Sequence, residues 1–230
     1  MIIQRFVLTA FQQNTRIIAC DETRQAICID PGEQSNELES FIRDSGLTLQ
    51  AVALTHGHLD HIGGTSALHE AFPNAEIIIH QDDEDMYYSL AAQPLMLGIG
   101  PDQLRALGME YADPPAVTRN WEHGEIYEVG RLKFSVRHCP GHTRGHVVLA
   151  EESERNVFVG DCLFSGSIGR TDLPGGNYEQ LIDSINSQIL SLGDDFTVYS
   201  GHGPETTVRR ERTANPFLIG TYRLGKGKYL

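Results

Sequence analysis

Apolar and polar positions repeat in two ways along this chain, and each change of period marks a new element. Residues 2–9 alternate loosely, and TRIIAC (15–20) and AICID (26–30) follow, joined by the polar stretch DETRQ. Runs of this kind predict three strands, the third ending at Asp30-Pro31-Gly32. The period then lengthens. Over residues 35–45, Leu38, Phe41 and Ile42 recur at helical spacing, with Gly46 as the stop. AVALT (51–55) is a short apolar run ended by a turn, which predicts a buried strand, and AEIIIH (75–80) reads as another. Residues 63–72 suit a helix that Pro73 ends. The acidic run QDDEDMYYSLA opens another, since acidic side chains favour a helix N-terminus.

Residues 91–120, rich in Pro, Gly, Leu and Met, keep no period and predict a long excursion of the sort that covers a functional site. Strand signals return at 125–129, 132–138, 147–151 and 156–160, with turns at Gly130 and Ser153. A helix over 177–192 places Tyr178, Leu181, Ile182, Ile185 and Ile189 on one face, and TVYS (197–200) is a last strand. From Glu205 the tail reads as basic and then irregular. Strand-then-helix alternation thus occurs on each side of the excursion. The simplest organisation is one α/β domain of two similar halves over residues 1–230, with no short repeat and no low-complexity segment.

Charge narrows the partners. With 18 Lys and Arg against 31 Asp and Glu, the net charge of −13 repels phosphate backbones and anionic headgroups. Nucleic acid and membrane surfaces are therefore disfavoured, and an anionic small substrate would need a local basic patch. The start places Arg5 inside a short apolar run without a small-residue cleavage site, and no stretch reaches the ~18 apolar residues of a membrane helix. A cytoplasmic location is expected. The four cysteines, Cys20, Cys28, Cys139 and Cys162, form no CxxC pair and read as buried and reduced.

The chemistry is concentrated after the run AVALT. His56, His58, Asp60 and His61 fall within six residues directly behind a buried strand, with Gly57 letting the loop turn tightly. Imidazole and carboxylate are the ligands that borderline metals accept, and four at this density suit two adjacent ions. Incidental histidines in a polar loop are the competing reading, but three in six residues beside an Asp speak against it. Three further pieces share one form, a strand followed by Gly and a ligand-type residue: His142 within CPGHTRGH, Asp161 after VFVG, and His202 after TVYSG.

The order HxHxDH, GHTxGH, GD, GHG resembles the metallo-β-lactamase superfamily, and within it the glyoxalase II (hydroxyacylglutathione hydrolase) branch. The segment SIGRTDLPGG (167–176) resembles one shared by glyoxalase II-like proteins and persulfide dioxygenases. The likeness runs from about residue 5 to about 218. It implies a four-layer αββα sandwich with the metals at one edge. It further implies that His56, His58 and His142 hold a first metal, that Asp60, His61 and His202 hold a second, and that Asp161 bridges them. Two divalent ions are implied, with Zn²⁺ first and Fe²⁺ or Mn²⁺ tolerated by the same ligands.

The implied activity is hydrolysis of an S-2-hydroxyacylglutathione, such as S-lactoylglutathione, to the hydroxy acid and glutathione by a metal-bound hydroxide. Asp60 would both bind metal and orient the hydroxide. Full-length members of the branch carry a helical C-terminal region that helps bind glutathione. This chain runs 28 residues past His202 and resembles the shorter, single-domain type II form, so those contacts do not map onto it. An iron-dependent persulfide dioxygenase, holding one ion through the positions of His56, His142 and Asp161, is the alternative. A non-catalytic metal-binding module is a third reading. Nuclease and β-lactam roles sit poorly with the charge and with the missing export signal. Oligomeric state is not legible.

Other residues carry two readings each. Arg170 is either a contact for an anionic substrate or an ion pair with Asp172. Asp30 either orients a ligand histidine through its second nitrogen or is a plain turn residue. Cys139 is a buried structural thiol or a reactive one near a metal. His146 and His138 read as structural, and His69, His80 and His123 as surface or capping residues. Arg209, Arg210, Arg212, Arg223, Lys226 and Lys228 make the tail locally basic, as a solvated face or as a guide for a glutathione carboxylate.

Overall fold

Strands that are apolar on both faces require cover on both sides, and this chain supplies it with two sheets and two helical layers. The computed structural model describes residues 1–96, 98–107 and 111–220. Its first half runs β1 (Ile2–Leu8), β2 (Gln13–Ala19), β3 (Gln25–Ile29), α1 (Asn36–Asp44), β4 (Thr48–Ala53), α2 (Leu59–Ile62), α3 (Thr65–Ala71), β5 (Glu76–Ile79), α4 (Glu84–Tyr88), α5 (Gln93–Met96), α6 (Pro101–Ala106) and β6 (Arg119–Asn120). These six strands form one sheet in chain order, antiparallel from β1 to β3 and parallel from β3 to β6.

The second half runs β7 (Ile126–Val129), β8 (Leu132–His138), β9 (Val147–Glu151), β10 (Asn156–Gly160), the hairpin β11 (Leu163–Phe164) and β12 (Ser167–Ile168), α7 (Tyr178–Ser184), β13 (Thr197–Ser200), β14 (Thr206–Thr207) and α8 (Val208–Ala214). Its sheet has the order β14-β13-β10-β9-β8-β7, with β10 and β13 parallel.

The side-chain period of two sorts each strand between two cores. Ile18, Ile27, Ile29, Ala51, Ala53 and Ile78 meet Phe134, Val136, Val147, Leu149 and Phe158 between the sheets. The alternate residues of the first sheet, among them Ile17, Cys28, Val52 and Ile77, pack under Leu38, Ile42 and Leu68 of the helices. Those of the second sheet, among them Val148, Val157 and Val198, pack under Leu181, Ile185 and Val208. The result is the expected αββα sandwich. Among the described residues no helix is long and apolar enough to cross a membrane.

The structure departs from the sequence reading in four places. β4 begins at Thr48, three residues before the apolar run, because its first residues already pair with β3, Thr48 with Gln25 and Leu49 with Ala26. The ligand-rich loop contains a helical turn, α2. The 91–120 stretch holds α5, α6 and the short β6, after which the buried Trp121 indole donates to Leu54 O at 3.0 Å. The tail is also more regular than expected. Thr207 caps α8 through Arg210 N–H, and the buried Glu211 accepts from Thr206, Gly166 and Asn215. Arg223, Lys226 and Lys228 lie outside the described residues. The helix expected at 177–192 is present, continuing from α7 through a π-helical turn at Ile185–Ile189 and a 3₁₀ turn at Leu190–Leu192.

Candidate metal centre and active site

Parallel strands deliver their C-terminal ends to one edge, which is where α/β sheets place ligand sites. Asp30 follows β3, His56 follows β4, His142 follows β8, Asp161 follows β10 and His202 follows β13. Backbone bonds lock the two sheets together at this edge, Val147 N–H to Thr55 O at 2.8 Å and Asn14 N–H to Gly201 O at 2.6 Å, while Gly201 N–H to Gly160 O at 2.7 Å extends the β10–β13 pairing within the second sheet. A register shift between Phe158 and Gly160 bends the end of β10 and aims Asp161 into the site.

All seven histidine and aspartate side chains expected at the site converge there. His56, His58 and His142 form one group with ligand-type atoms within 4.8 Å of one another, and Asp60, His61 and His202 form a second. His58 Nδ1 lies 2.9 Å from His142 Nε2, and His61 Nε2 lies 3.3 Å from His202 Nε2. Two imidazoles bound to one tetrahedral ion at ~2.0–2.1 Å stand about 3.3 Å apart, which the His61–His202 pair matches, while the His58–His142 pair is somewhat closer. Asp161 lies between the groups, with Oδ1 3.3 Å from His61 Nε2 and Oδ2 3.8 Å from His142 Nε2 and 3.6 Å from His202 Nε2. His56 Nε2 and Asp161 Oδ1 are buried atoms without a hydrogen-bond partner. Buried polar atoms are rarely left so, and a cation between the groups would satisfy both.

Protonation divides the groups. Burial pushes His56 well below the ordinary imidazole value, carries His58 down to about 3 with help from His142, and lowers His142. These three rings therefore keep free lone pairs at neutral pH, as metal ligands must. In the second group burial acts in the same direction but loses. Asp161 and Asp60 carry His61 well above its ordinary value, and the bond to Asp60 at 3.1 Å raises His202. Against burial, His61 and His202 hold Asp60 low and, with His142, hold Asp161 well below the usual carboxylate range.

The outer nitrogens of His56, His61, His142 and His202 are held as well, which sets the orientation of those rings. Asp30 resolves its two readings in favour of orientation. It has a left-handed backbone (φ 52°), and its carboxylate takes His61 Nδ1 at 2.9 Å, Thr55 N–H at 2.7 Å and the Thr55 hydroxyl at 2.6 Å. His142 Nδ1 donates to Arg170 O at 2.8 Å, His202 Nδ1 meets Phe11 O at 3.0 Å and His56 Nδ1 meets the Thr55 hydroxyl at 3.0 Å. His146 is buried, stacks on His56 and accepts from Asp161 N–H at 3.1 Å, so its structural role lies directly behind the site.

Cys139 is buried and reduced, its sulfur 3.2 Å from that of Cys162, and all four cysteines are free and buried. Arg170 forms the ion pair, bidentate with Asp172 at 2.8 Å, and it also lines the cleft over the site. Arg209, Arg210 and Arg212 are not among the residues that line it; Arg212 pairs with Asp194 instead. His80 accepts from Asp82 N–H and stacks on His138, and His123 accepts from His138 N–H.

The cleft encloses about 280 Å³, and its apolar wall is Phe11, Leu59, Met86, Leu173 and Pro174. Sequence reasoning missed Phe11, Met86, Asp83 and Gln93. Gln93, from the excursion, is buried with Oε1 accepting from Leu59 N–H at 2.8 Å and Nε2 donating to Gly57 O at 2.7 Å. Asp83 was hidden in an acidic run that reads as a helix start. Its carboxylate is buried, and burial raises it despite three donors. Gly57 leaves the loop free of a side chain where space is short, since a Cβ there would stand 3.1 Å from both Asp83 O and Met86 Cβ.

The metallo-β-lactamase superfamily model matches residues 8–202 of the chain. The hydroxyacylglutathione hydrolase GloC of Haemophilus influenzae is 39% identical over 220 residues, spanning 95% of this chain and 98% of that protein. Among solved structures, the BLEG-1 B3 metallo-β-lactamase superposes with a TM-score of 0.83 at 32% identity, covering 95% of this chain and 100% of that one. TTHA1623 in a di-iron-bound form superposes with a TM-score of 0.79 at 35% identity, covering 94% and 100%.

Proposed function

The chain belongs to the metallo-β-lactamase superfamily, and on that premise we propose that it is a thioester hydrolase of the glyoxalase II type, acting on S-2-hydroxyacylglutathione such as S-lactoylglutathione. The fold with its two His/Asp groups implies a dinuclear metal centre. The observation that carries the proposal is the placement of Asp161 between two three-residue groups at the floor of an apolar cleft. Likeness to GloC supports the substrate. The core shared by both sheets supports reading residues 1–230 as one domain.

In this reading His56, His58 and His142 would hold the first ion, Asp60, His61 and His202 the second, and Asp161 would serve both. Two divalent cations, Zn²⁺ or alternatively Fe²⁺ or Mn²⁺, would supply an ionised water at neutral pH and Lewis acidity towards a carbonyl oxygen. The chain's own residues do the rest. Burial keeps the first three imidazoles unprotonated. Asp60, facing the cleft, accepts a hydrogen bond from the attacking water and holds its oxygen towards the thioester carbon. The C–O bond forms, the C–S bond breaks, and glutathione leaves as the thiolate. Phe11, Leu59, Met86, Leu173 and Pro174 exclude bulk water, and Arg170 offers a cation to a substrate carboxylate at the rim.

The test is hydrolysis of S-lactoylglutathione by purified protein with and without a chelator. Turnover that disappears with chelator and returns with Zn²⁺ or Mn²⁺ supports the assignment. A fully metallated sample that leaves the thioester intact refutes it. Oxygen uptake with glutathione persulfide by the iron-loaded protein would then select the dioxygenase reading.

A further inference from the structure

Asp83 is a buried carboxylate with no part in the chemistry above. It occupies the N-cap position of α4, where an Asp ordinarily accepts from its own helix's first N–H groups. It makes no such bond. The carboxylate turns instead towards two loops. Oδ2 accepts from Gly57 N–H at 3.1 Å and from the Thr143 hydroxyl at 2.6 Å, and Oδ1 accepts from Gly145 N–H at 2.7 Å. Gly57 lies between His56 and His58, and Thr143 adjoins His142. One side chain therefore joins the two loops that carry the whole first histidine group, and those loops descend from different sheets.

The contact leaves no room for slack. A Cβ on Gly145 would stand 2.7 Å from Asp83 N and 2.9 Å from its Cβ and Cγ. The second group is held by other means: Asp30 holds His61, and the Phe11 carbonyl holds His202.

We propose that Asp83 is a positioning residue that fixes the separation between the His56–His58 loop and His142, and so sets the affinity of the first metal site relative to the second. This rests on the metal assignment made above and is independent of the substrate. Asp83→Asn retains the volume but has a single acceptor oxygen for three donors on two loops, so its amide must face at least one N–H or O–H.

The experiment is a Co²⁺ titration of the metal-free protein against a competing chelator, followed by visible absorption, with thermal melting of each metal-free protein alongside. The unmutated chain should bind two ions. Asp83→Asn should bind one of them about 10–100-fold more weakly and the other unchanged. Thr143→Val removes one donor only, should shift the same ion by a smaller factor, and keeps the question answerable if Asp83→Asn does not fold. The inference is overturned if both ions weaken alike, if neither weakens while melting falls, or if Thr143→Val binds both as the unmutated chain does. An unmutated chain that binds fewer than two ions would instead refute the metal assignment itself.

Discussion

Gly201 offers the most direct test of how little space the metal centre has. A Cβ at this position would overlap Asp161 Oδ1 outright and stand 2.7 Å from His61 Cε1, against ordinary carbon contacts of about 3.5–4.0 Å. The backbone has no freedom to retreat, since Gly201 N–H donates to Gly160 O at 2.7 Å and its carbonyl accepts from Asn14 N–H at 2.6 Å. His61 is pinned by Asp30 from behind. The displacement in Gly201→Ala therefore falls on Asp161, by about 1 Å.

Overpacking of this kind costs about 1–3 kcal/mol of stability, and a 1 Å misplacement of a reacting group costs about 100-fold in rate. Gly203→Ala is the matched control. Gly203 has φ +71° with nothing within 4 Å of a Cβ, so alanine there brings only the left-handed penalty of about 1–2 kcal/mol. Metal content by elemental analysis, melting of the metal-free proteins and kcat/KM on the thioester separate the two. Both variants should melt earlier, but only Gly201→Ala should lose metal and rate. Two bound ions at full rate in Gly201→Ala would refute the reasoning, and so would equal metal loss in Gly203→Ala.

Three further outcomes follow from the same geometry. Asp30→Asn should lower stability by about 2–3 kcal/mol, as an anionic acceptor for three donors is lost, and should weaken the second metal site about 10–100-fold; a chelator titration reads both, and a selective loss at the first site instead would contradict the orientation role. The metal-free protein should be most stable near the ordinary histidine value of about 6.5. Below it, the unfolded chain protonates His56, His58, His142 and His146 while the fold keeps them neutral, so stability falls with pH. Above it, the fold retains protons on His61 and His202 that the unfolded chain has released, so stability falls as pH rises through their raised values; melting in chelator from acid to alkaline pH should show a maximum, and a monotonic curve would count against the split. Arg170→Gln should raise KM for S-lactoylglutathione about tenfold with kcat held, whereas Asp172→Asn, which frees the guanidinium, should lower KM; unchanged KM in both would leave Arg170 with its ion pair alone.

The sequence made the metal-binding edge legible because ligand chemistry there is written into contiguous residues. His56, His58, Asp60 and His61 share one loop, and His142, Asp161 and His202 each follow a strand and a glycine. The strands were legible in short apolar runs such as AVALT, whereas the αββα sandwich followed from the family resemblance that the ligand motifs carry. What stayed hidden depends on tertiary placement. Asp83 and Gln93 act on the Gly57 peptide from opposite sides, and no spacing relates them to it. The tail helix at Val208–Ala214 was obscured by its basic surface, while its buried Glu211 has no apolar signature. The excursion lacked a period because α5, α6 and β6 are each too short to show one.

The locking of the two sheets at one edge has a consequence for when the protein can acquire its ions. Under the proposed assignment each metal draws from both sheets: His56 and His58 wait for His142, and Asp60 and His61 wait for His202. During synthesis from the N-terminus the first loop emerges long before either partner. A half-made chain can offer only part of either cage, and grips an ion weakly. Loading is thereby postponed until the second sheet has docked, and a filled centre certifies that the whole sandwich has closed.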